Sequence, residues 1–327
     1  MRLHHAGRNL ELHAQETVLE CLERHGVTVP SSCRSGVCQT CLLRSVEGEV
    51  PDAAQIGLKP VRRRQGYFLA CLCRPTADLK LSGEDETFES RIVKTERLAP
   101  DVYRVWLQRP SDFDFEAGQF LQVIRSGDGL TRPYSIASLP ERGLLELHVA
   151  LAPMGAMSRW LPTATGTVVR IRGPFGACTY PDGDPSRPLV LAGTGTGMAP
   201  LCGVLRCALS RGHRGRIRVL HGARTANDLY AKPILEALAR EHSSIETTYH
   251  TPRLDDGSPL SAIVGALTER AALAAVSTTP DAHAFVCGNP TFVRSLRRSL
   301  YLAGLALSDI HSDAFVSSPL PVQHTGT

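Results

Sequence analysis

Three cysteines crowd into nine positions near the start of the chain, in the stretch SCRSGVCQTC. Four residues separate Cys33 from Cys38 and two separate Cys38 from Cys41, while the next candidate ligand is Cys71 in GYFLACLCRP. Disulfides, structural zinc and iron–sulfur clusters all use cysteines at short spacing. A zinc ribbon normally supplies two CxxC pairs, but this chain has a single CxxC with an extra thiol five positions upstream. The spacing favours a 2Fe–2S cluster, with structural zinc as the alternative.

Composition narrows the class of protein. The 327-residue chain has 21% charged residues and a formal net charge of +4 spread along its length, so no nucleic-acid-binding face is predicted. No apolar run reaches the roughly 18–20 residues of a membrane span, and the first residues lack the apolar segment of a secretory signal. We therefore expect a cytoplasmic protein of two or three domains. A reducing cytoplasm argues against disulfides among the ten cysteines.

The pattern C-x4-C-x2-C followed by LAC resembles the plant-type ferredoxins. This resemblance implies a β-grasp-like α/β domain over residues 1–84, in which one loop and a distant cysteine hold the cluster. The implied ligands are Cys33, Cys38, Cys41 and Cys71. Cys73 is then surplus, and Cys21, within the helical pattern ETVLECLERHG, is predicted to be a small core residue.

Short β-rich stretches recur between residues 88 and 184, separated by Gly and Pro turns, and predict an antiparallel barrel. Among them, RPYSIAS combines a cation, an aromatic ring and a hydroxyl, which suits an anionic, planar, hydrogen-bonding ligand. Strand alternation predicts Arg132, Tyr134 and Ser138 on one side and Ser135 on the other. From the residues alone, a mixed edge strand also explains the stretch.

RPYSIAS, with FEAGQF upstream and GPFG downstream, resembles the flavin domain of the ferredoxin–NADP reductase superfamily. The resemblance implies a six-stranded flavin-binding barrel that holds FAD. It places Arg132 at the flavin pyrophosphate, Tyr134 against the isoalloxazine and Ser135 at its reactive nitrogen. A second phosphate loop, in which Met154 replaces the family's first glycine, and a neighbouring strand supply the remaining implied contacts: Gly155, Ser158, His148 and Val149.

The last third, residues 186–327, alternates apolar strands with helical patterns and predicts a doubly wound parallel sheet. Its first strand and helix are joined by the Gly-rich turn GTGTGMAP, where backbone N–H groups can meet a phosphate. The glycines do not form the Rossmann GxGxxG, and no Walker lysine follows. A plain strand–helix connection is therefore the alternative.

Two further segments resemble the same superfamily. GTGTGMAP is similar to the loop that binds the pyrophosphate of the pyridine nucleotide, and VCGNP is similar to the segment whose Cys-Gly pair meets the nicotinamide. The implied contacts are Thr194, Gly195, Thr196 and Gly197 with the pyrophosphate, and Cys287 and Gly288 with the nicotinamide. The final IHSDAFVSS resembles the family's last strand, which implies that Phe315 shields the flavin. Ser135, Cys287 and Phe315 form the implied catalytic set.

NADH is the predicted nucleotide. HGARTANDLY places Arg224 where a guanidinium could pair with the 2′-phosphate of NADPH or cover an adenine. Asp228, four residues further on, would repel that phosphate. The stretch also resembles NADH-linked family members with an N-terminal ferredoxin.

Together, the three domains resemble the reductase components of multicomponent bacterial oxygenases. NADH gives up two electrons at once and a 2Fe–2S cluster takes one, so a flavin, which can do both, must stand between them. The implied partner is a terminal oxygenase or an intermediate ferredoxin, because no paired Glu-x-x-His of a di-iron oxygenase occurs in this chain. We expect the chain to be monomeric on its own.

Three alternatives stay open at this point. The same module could serve another acceptor, such as a sugar-deoxygenating dehydrase. The four candidate cysteines could hold zinc in a redox sensor or scaffold, or the ferredoxin domain could be vestigial in a simple flavin or ferric reductase. The basic segment KPVRRRQGY, residues 59–67, either meets an acidic partner or is a solvated loop.

Overall fold

The computed structural model describes the chain apart from residues 28, 30, 32, 33, 35, 37–40, 59, 83–86, 253–259 and 316–327, and apart from the side chains of residues 260–263. Cys33 and Cys38, two of the four predicted cluster ligands, therefore lie outside the described residues. The chain divides into two units, Met1–Thr87 and Phe88–Thr327.

A five-stranded mixed sheet forms the first unit. Its elements in chain order are β1 (Arg2–His5), β2 (Arg8–Glu11), α1 (Val18–Arg24), β3 (Leu42–Glu47), α2 (Pro60–Arg64), β4 (Tyr67–Leu69) and β5 (Leu79–Leu81). The strand order is β2-β1-β5-β3-β4, in which β1 and β5 are parallel and the other pairs are antiparallel. The predicted β-grasp-like α/β architecture is confirmed.

A capping box starts helix α1. The Thr17 hydroxyl accepts a hydrogen bond from the Glu20 N–H at 3.2 Å, and the Glu20 carboxylate accepts one from the Thr17 N–H at 2.8 Å. The helix buries Cys21 completely, which confirms the prediction that it is a core residue. Burial also raises the pKa of the Cys21 thiol, which makes it a poor metal ligand.

A six-stranded antiparallel sheet begins the second unit. Its elements are β6 (Phe88–Ala99), β7 (Val102–Gln108), β8 (Phe120–Ile124), β9 (Thr131–Ser135), β10 (Leu144–Ala150), α3 (Ala156–Trp160) and β11 (Val168–Phe175). The order is β10-β7-β6-β11-β8-β9, and a bridge between Ile136 and Leu147 joins its two ends. The sheet therefore closes on itself, as the predicted flavin-binding barrel requires.

A five-stranded parallel sheet follows. Its elements are β12 (Leu189–Thr194), α4 (Met198–Ser210), β13 (Ile217–Gly222), α5 (Lys232–Glu241), β14 (Ile245–His250), α6 (Leu260–Ser277), β15 (His283–Gly288), α7 (Pro290–Leu302) and β16 (Ile310–Ala314). Helices α4 and α5 pack on one face of the sheet and α6 and α7 on the other, so the sheet is doubly wound. The order β14-β13-β12-β15-β16 reverses between β12 and β15, which is where such a sheet binds its ligand.

Helix length also bears on membrane insertion. Among the described residues, no helix combines the length and apolar character that crossing a membrane requires.

Candidate functional site

Strand β9 presents the predicted flavin contacts on alternating sides. Arg132 and Tyr134 are partly buried, whereas Ser135, on the other side of the strand, is 8% exposed. Burial raises the pKa of the Tyr134 phenol, so the ring carries a neutral hydroxyl. The strand ends at Ser135, so its alternation does not extend to Ser138, which is buried and accepts a hydrogen bond from the Glu146 N–H at 3.1 Å.

The second phosphate loop depends on a glycine at position 155. The Ser158 hydroxyl accepts a hydrogen bond from the Ala152 N–H at 3.1 Å and donates one to the Gly155 carbonyl at 3.2 Å. A Cβ atom on Gly155 would lie 2.3 Å from the Ser158 oxygen, so a larger residue would break this turn. Met154, the residue that replaces the family's glycine, is 85% exposed and leaves the loop unobstructed. These residues fit a bound phosphate group.

His148 and Val149 point away from any ligand. Val149 is fully buried in the barrel core. The His148 imidazole is also buried, and its two nitrogens lie 3.0 Å from the Tyr230 hydroxyl and 2.9 Å from a Glu146 carboxylate oxygen. The predicted flavin contact of this segment would therefore come from its backbone.

Glu146 is the centre of a charge network that no sequence pattern predicted. Arg206 lies 2.9 Å from one carboxylate oxygen, and Arg104 lies 3.2 Å from the other. Burial opposes ionisation of Glu146, but the hydrogen bond from His148 and the two guanidinium groups lower its pKa to about 2. Burial lowers the pKa of His148, so a neutral imidazole joins the ionised carboxylate to Tyr230. The network ties the barrel strands β7 and β10 to helix α4 and to Tyr230, which precedes helix α5.

The Gly-rich turn lies at the switch point of the parallel sheet. Gly195 has a φ of +52° with open space around it, which leaves room for a ligand to approach the backbone. A Cβ on Gly197 would lie 2.3 Å from the Cys287 carbonyl oxygen, so the turn packs directly on the end of β15. The Thr194 hydroxyl accepts a hydrogen bond from the Asn289 N–H at 3.3 Å. This cradle between β12 and β15 fits a dinucleotide pyrophosphate.

The end of β15 brings Cys287, Gly288 and Phe315 together. Gly288 has a φ of +131°, and its carbonyl accepts a hydrogen bond from the Phe315 N–H at 2.8 Å. Cys287 is fully buried, and its Sγ lies 3.5 Å from the Sγ of Cys178. Burial and the neighbouring thiol raise the pKa of Cys287 well above its ordinary value, so the side chain is a neutral thiol.

Two further side chains at this point escaped the sequence analysis. Cys178 follows GPFG on a different domain from Cys287 and carried no pattern of its own. Asp313 lies opposite Cys287 on the neighbouring strand β16, and burial raises the pKa of its carboxyl to about 6. Asp313 could have been noticed in the sequence, because it is the lone carboxylate of the last predicted strand and lies two residues before Phe315.

Arg224 and Asp228 face each other at the predicted adenosine end of the nucleotide. The Arg224 side chain is 63% exposed, and its Nε lies 3.8 Å from the Asp228 carboxylate. That carboxylate also accepts hydrogen bonds from the Thr225 N–H at 3.2 Å and the Thr225 hydroxyl at 3.0 Å. Asp228 is thus held in place, and it reduces the positive charge that Arg224 could offer to a phosphate.

Cys41 and Cys71 are brought together by neighbouring strands of the first unit. Cys41 directly precedes β3, Cys71 follows β4 closely, and the Ala70 N–H donates to the Cys41 carbonyl at 3.0 Å. Cys73 is fully buried, and burial raises the pKa of its thiol to about 12. Two described thiols therefore fit a shared metal cluster, whereas Cys73 behaves as an apolar core residue.

Comparison with known families agrees with this arrangement. Residues 3–76 match the 2Fe-2S iron-sulfur cluster binding domain, residues 89–180 the oxidoreductase FAD-binding domain, and residues 191–298 the oxidoreductase NAD-binding domain. The reductase subunit of an aromatic O-demethylase from Amycolatopsis is 32% identical over 326 residues, covering 94% of this chain and 96% of the relative.

The chain belongs to the ferredoxin–NADP reductase superfamily.

Other relatives match this chain over nearly its whole length. The ferredoxin–NAD(P)(+) reductase component of a naphthalene 1,2-dioxygenase system from Pseudomonas putida is 30% identical, with 94% of this chain and 96% of the relative covered. A crystal structure of an Amycolatopsis cytochrome P450 reductase superposes with a TM-score of 0.60 at 29% identity, covering 96% of this chain and 98% of that one. The ferredoxin reductase of carbazole 1,9a-dioxygenase, at 22% identity and a TM-score of 0.61, has the same fold.

The predicted cofactors are confirmed: the chain binds a 2Fe–2S cluster, FAD and NAD, and is an NADH-dependent iron–sulfur flavoprotein oxidoreductase. Zinc, the alternative ligand of the cysteine motif, is excluded by the cluster-binding family of residues 3–76. The assignment of individual residues to each cofactor remains a prediction.

Replacement of Gly197 by alanine is expected to weaken NADH binding by at least about tenfold. The added methyl group would lie 2.3 Å from the Cys287 oxygen and 2.6 Å from its carbonyl carbon, so the turn and the end of β15 must separate. The measurement is the Kd of NADH by calorimetry, together with its KM in ferricyanide reduction. Gly265→Ala in α6 is the matched control, since its new Cβ would meet Phe292 at an ordinary 3.6 Å. An unchanged Kd in Gly197→Ala would contradict the assignment of the turn.

Proposed function

We propose that this reductase takes hydride from NADH and passes single electrons to a partner oxygenase, or to its ferredoxin, which hydroxylates an aromatic or related substrate. The observation that carries the proposal is the junction of the Gly-rich turn, Cys287 and Phe315 at the switch point of the nucleotide sheet, in a chain that also holds a flavin barrel and a cluster domain. The relatives named above are reductase components of such systems.

Each candidate residue has a distinct part in this scheme. When bound, NADH supplies two electrons, FAD accepts them together and releases them singly, and the cluster carries one at a time. Arg132 and the loop of Gly155 and Ser158 bind flavin phosphates, and Tyr134 packs on the flavin ring. The Ser135 hydroxyl would donate a hydrogen bond to the flavin's reactive nitrogen.

The nucleotide side of the junction orients the donor. Residues 194–197 would hold the pyrophosphate, and the chain at Cys287 and Gly288 would meet the nicotinamide. Because the Phe315 N–H is anchored to the Gly288 carbonyl, the Phe315 ring would cover the bound flavin and exclude water from it. The Glu146 network joins the barrel to helix α4 and to Tyr230 of the nucleotide domain. These contacts keep the two binding sites in a fixed relative position.

NADH is expected to exceed NADPH in kcat/KM by about tenfold or more, because the Asp228 carboxylate repels a 2′-phosphate and already neutralises part of Arg224. Asp228→Asn should raise kcat/KM for NADPH and leave that for NADH within about twofold. The two constants are measured with ferricyanide as acceptor. A wild-type preference for NADPH would contradict the assignment of this pair.

The acceptor itself is tested by reconstitution. Oxygenase components of naphthalene dioxygenase and phenol hydroxylase, freed of their own reductases, are supplied with this protein and NADH. Hydroxylated product in proportion to NADH consumed supports the proposal. Absence of product from both, alongside rapid reduction of cytochrome c, would favour an acceptor of another class, such as a sugar-deoxygenating dehydrase.

A further inference from the structure

We propose that a basic face on the first unit, formed by Arg44, Arg62 and Arg63 around the apolar side chain of Ile56, docks the acidic surface of the protein that receives the electrons. The inference rests on the proposed electron-transfer function. It adds where the acceptor binds and what chemistry recognises it.

Positive charge in the first unit is concentrated at this face. Residues 1–87 contain eleven Lys and Arg and eleven Asp and Glu, so the unit has no net formal charge. Four of the eleven cations nevertheless fall within positions 59–64, which contain no acid. Helix α2 carries the last three of these, and the Arg44 guanidinium of β3 donates to the Gln65 carbonyl at 3.0 Å, directly beyond the end of α2. Sequence and fold therefore build one positive surface.

The existing contacts of these arginines leave their charge available. Arg63 pairs with Asp52 at 3.0 Å, but the Asp52 side chain is 93% exposed. Such an exposed pair contributes little to stability, so a partner's carboxylates can replace it. Arg62 of α2 and Arg44 of β3 both lie close enough to the Tyr67 phenol to act on it electrostatically, and Arg44 lies opposite Tyr67 in the strand pair β3–β4.

An exposed apolar side chain gives the face a centre. Ile56 is 66% exposed and lies between the turn Asp52–Gln55 and helix α2. The Gln55 side-chain amide donates to the carbonyls of Arg63 at 3.3 Å and Tyr67 at 2.8 Å, which fixes this turn against the helix. An apolar anchor bordered by arginines is the composition found at protein–protein interfaces, where arginine is enriched.

The strand pair β3–β4 connects this face to the cluster. Arg44 lies opposite Tyr67, Leu42 lies opposite Leu69, and the ligand candidates Cys41 and Cys71 lie just beyond that end of the pair. Arg44 lies three positions after Cys41, a span of about 10 Å at 3.3 Å per residue. A protein bound to the basic face would therefore stand close to the electron-carrying group.

The test uses NADH-driven reduction of cytochrome b5, an acidic haem protein, by the complete reductase. We expect kcat/KM to fall as ionic strength rises from about 20 to about 300 mM, because salt screens the attraction. Arg62→Glu should lower kcat/KM about tenfold at low salt and raise the Kd for cytochrome b5 similarly, whereas Arg62→Lys should retain most of both. The matched control is Arg8→Glu on β2, at the opposite edge of the same sheet, with an expected effect below about twofold.

The outcomes separate this inference from the function on which it rests. Equal losses in Arg62→Glu and Arg8→Glu, or a wild-type cytochrome b5 rate that does not change with ionic strength, would overturn the docking face. Reduction of cytochrome b5 at the full rate by Cys71→Ser would instead overturn the electron-transfer function. NADH–ferricyanide activity checks that the flavin site of each variant is intact.

Discussion

Cys71→Ser is expected to lower NADH-driven reduction of cytochrome c on the order of a hundredfold, while NADH–ferricyanide activity changes by less than about twofold. The reason is that ferricyanide takes electrons directly from the flavin, whereas a protein acceptor is reached through the cluster. The Cys71 backbone is held beside Cys41 by the Ala70–Cys41 hydrogen bond, so the substitution removes a ligand without removing a strand. Both rates are measured on the same preparation, with iron content determined in parallel.

Cys73→Ala is the matched control for this result. Cys73 lies two residues further on, is fully buried and has a thiol pKa raised to about 12, so the variant should keep its cluster and its cytochrome c activity. Full cytochrome c reduction in Cys71→Ser would show that the first unit is not on the electron path. Loss of the cluster in Cys73→Ala with retention in Cys71→Ser would exchange the roles of the two cysteines.

Glu146→Ala is expected to reduce the free energy of unfolding by about 3–5 kcal/mol, because it leaves the buried His148 and the partly buried Arg104 and Arg206 without their anionic partner. The measurement is urea denaturation followed by circular dichroism. Glu246→Ala provides the comparison, since Glu246 also bridges two arginines, Arg216 and Arg218, but its side chain is 50% exposed. Glu246→Ala should reduce the free energy of unfolding by less than about 1 kcal/mol. Equal effects in the two variants would contradict a buried network.

The same network sets a pH dependence. The pKa of Glu146 is about 2 in the folded protein against an ordinary value of 4.5, so its ionised form contributes roughly 3 kcal/mol of stability at neutral pH. This contribution is present above pH 4.5 and is lost as the pH falls towards 2. The difference in unfolding free energy between the wild type and Glu146→Gln should therefore be constant from about pH 5 to 7 and shrink below that range. If the difference between the two unfolding free energies did not change with pH, the low pKa of Glu146 in the folded protein would be contradicted.

The parts of the site that could be predicted are those carried by contiguous residues. SCRSGVCQTC, RPYSIAS and GTGTGMAP each place their chemistry within about ten positions, and the resulting family, fold class and cofactors are confirmed. In contrast, the Arg206–Glu146 and Cys178–Cys287 contacts join residues 60 and 109 positions apart, which belong to the barrel and to the nucleotide domain. Their geometry depends on how the barrel packs against the nucleotide domain, which no local pattern encodes.

The prediction that Ser138 lies on the same side of the strand as Arg132 and Tyr134 was wrong for a related reason. Period-2 reasoning holds only while a strand continues, and β9 ends at Ser135, where the chain turns to form the Ile136–Leu147 bridge. The His148 imidazole, on the same strand as Leu147, is likewise taken up by a charge network. Barrel closure is a tertiary event, so strand ends of this kind are the least predictable positions in the sequence.

The most direct measurement of the central claim is an anaerobic titration of the purified protein with NADH, followed by visible absorption and electron paramagnetic resonance. Two electrons for the flavin and one for the cluster require about 1.5 equivalents of NADH per chain, with both chromophores bleached and a signal from a one-electron-reduced cluster. Bleaching of the flavin alone after about one equivalent, with no cluster signal, would contradict a path from nicotinamide through flavin to the 2Fe–2S centre.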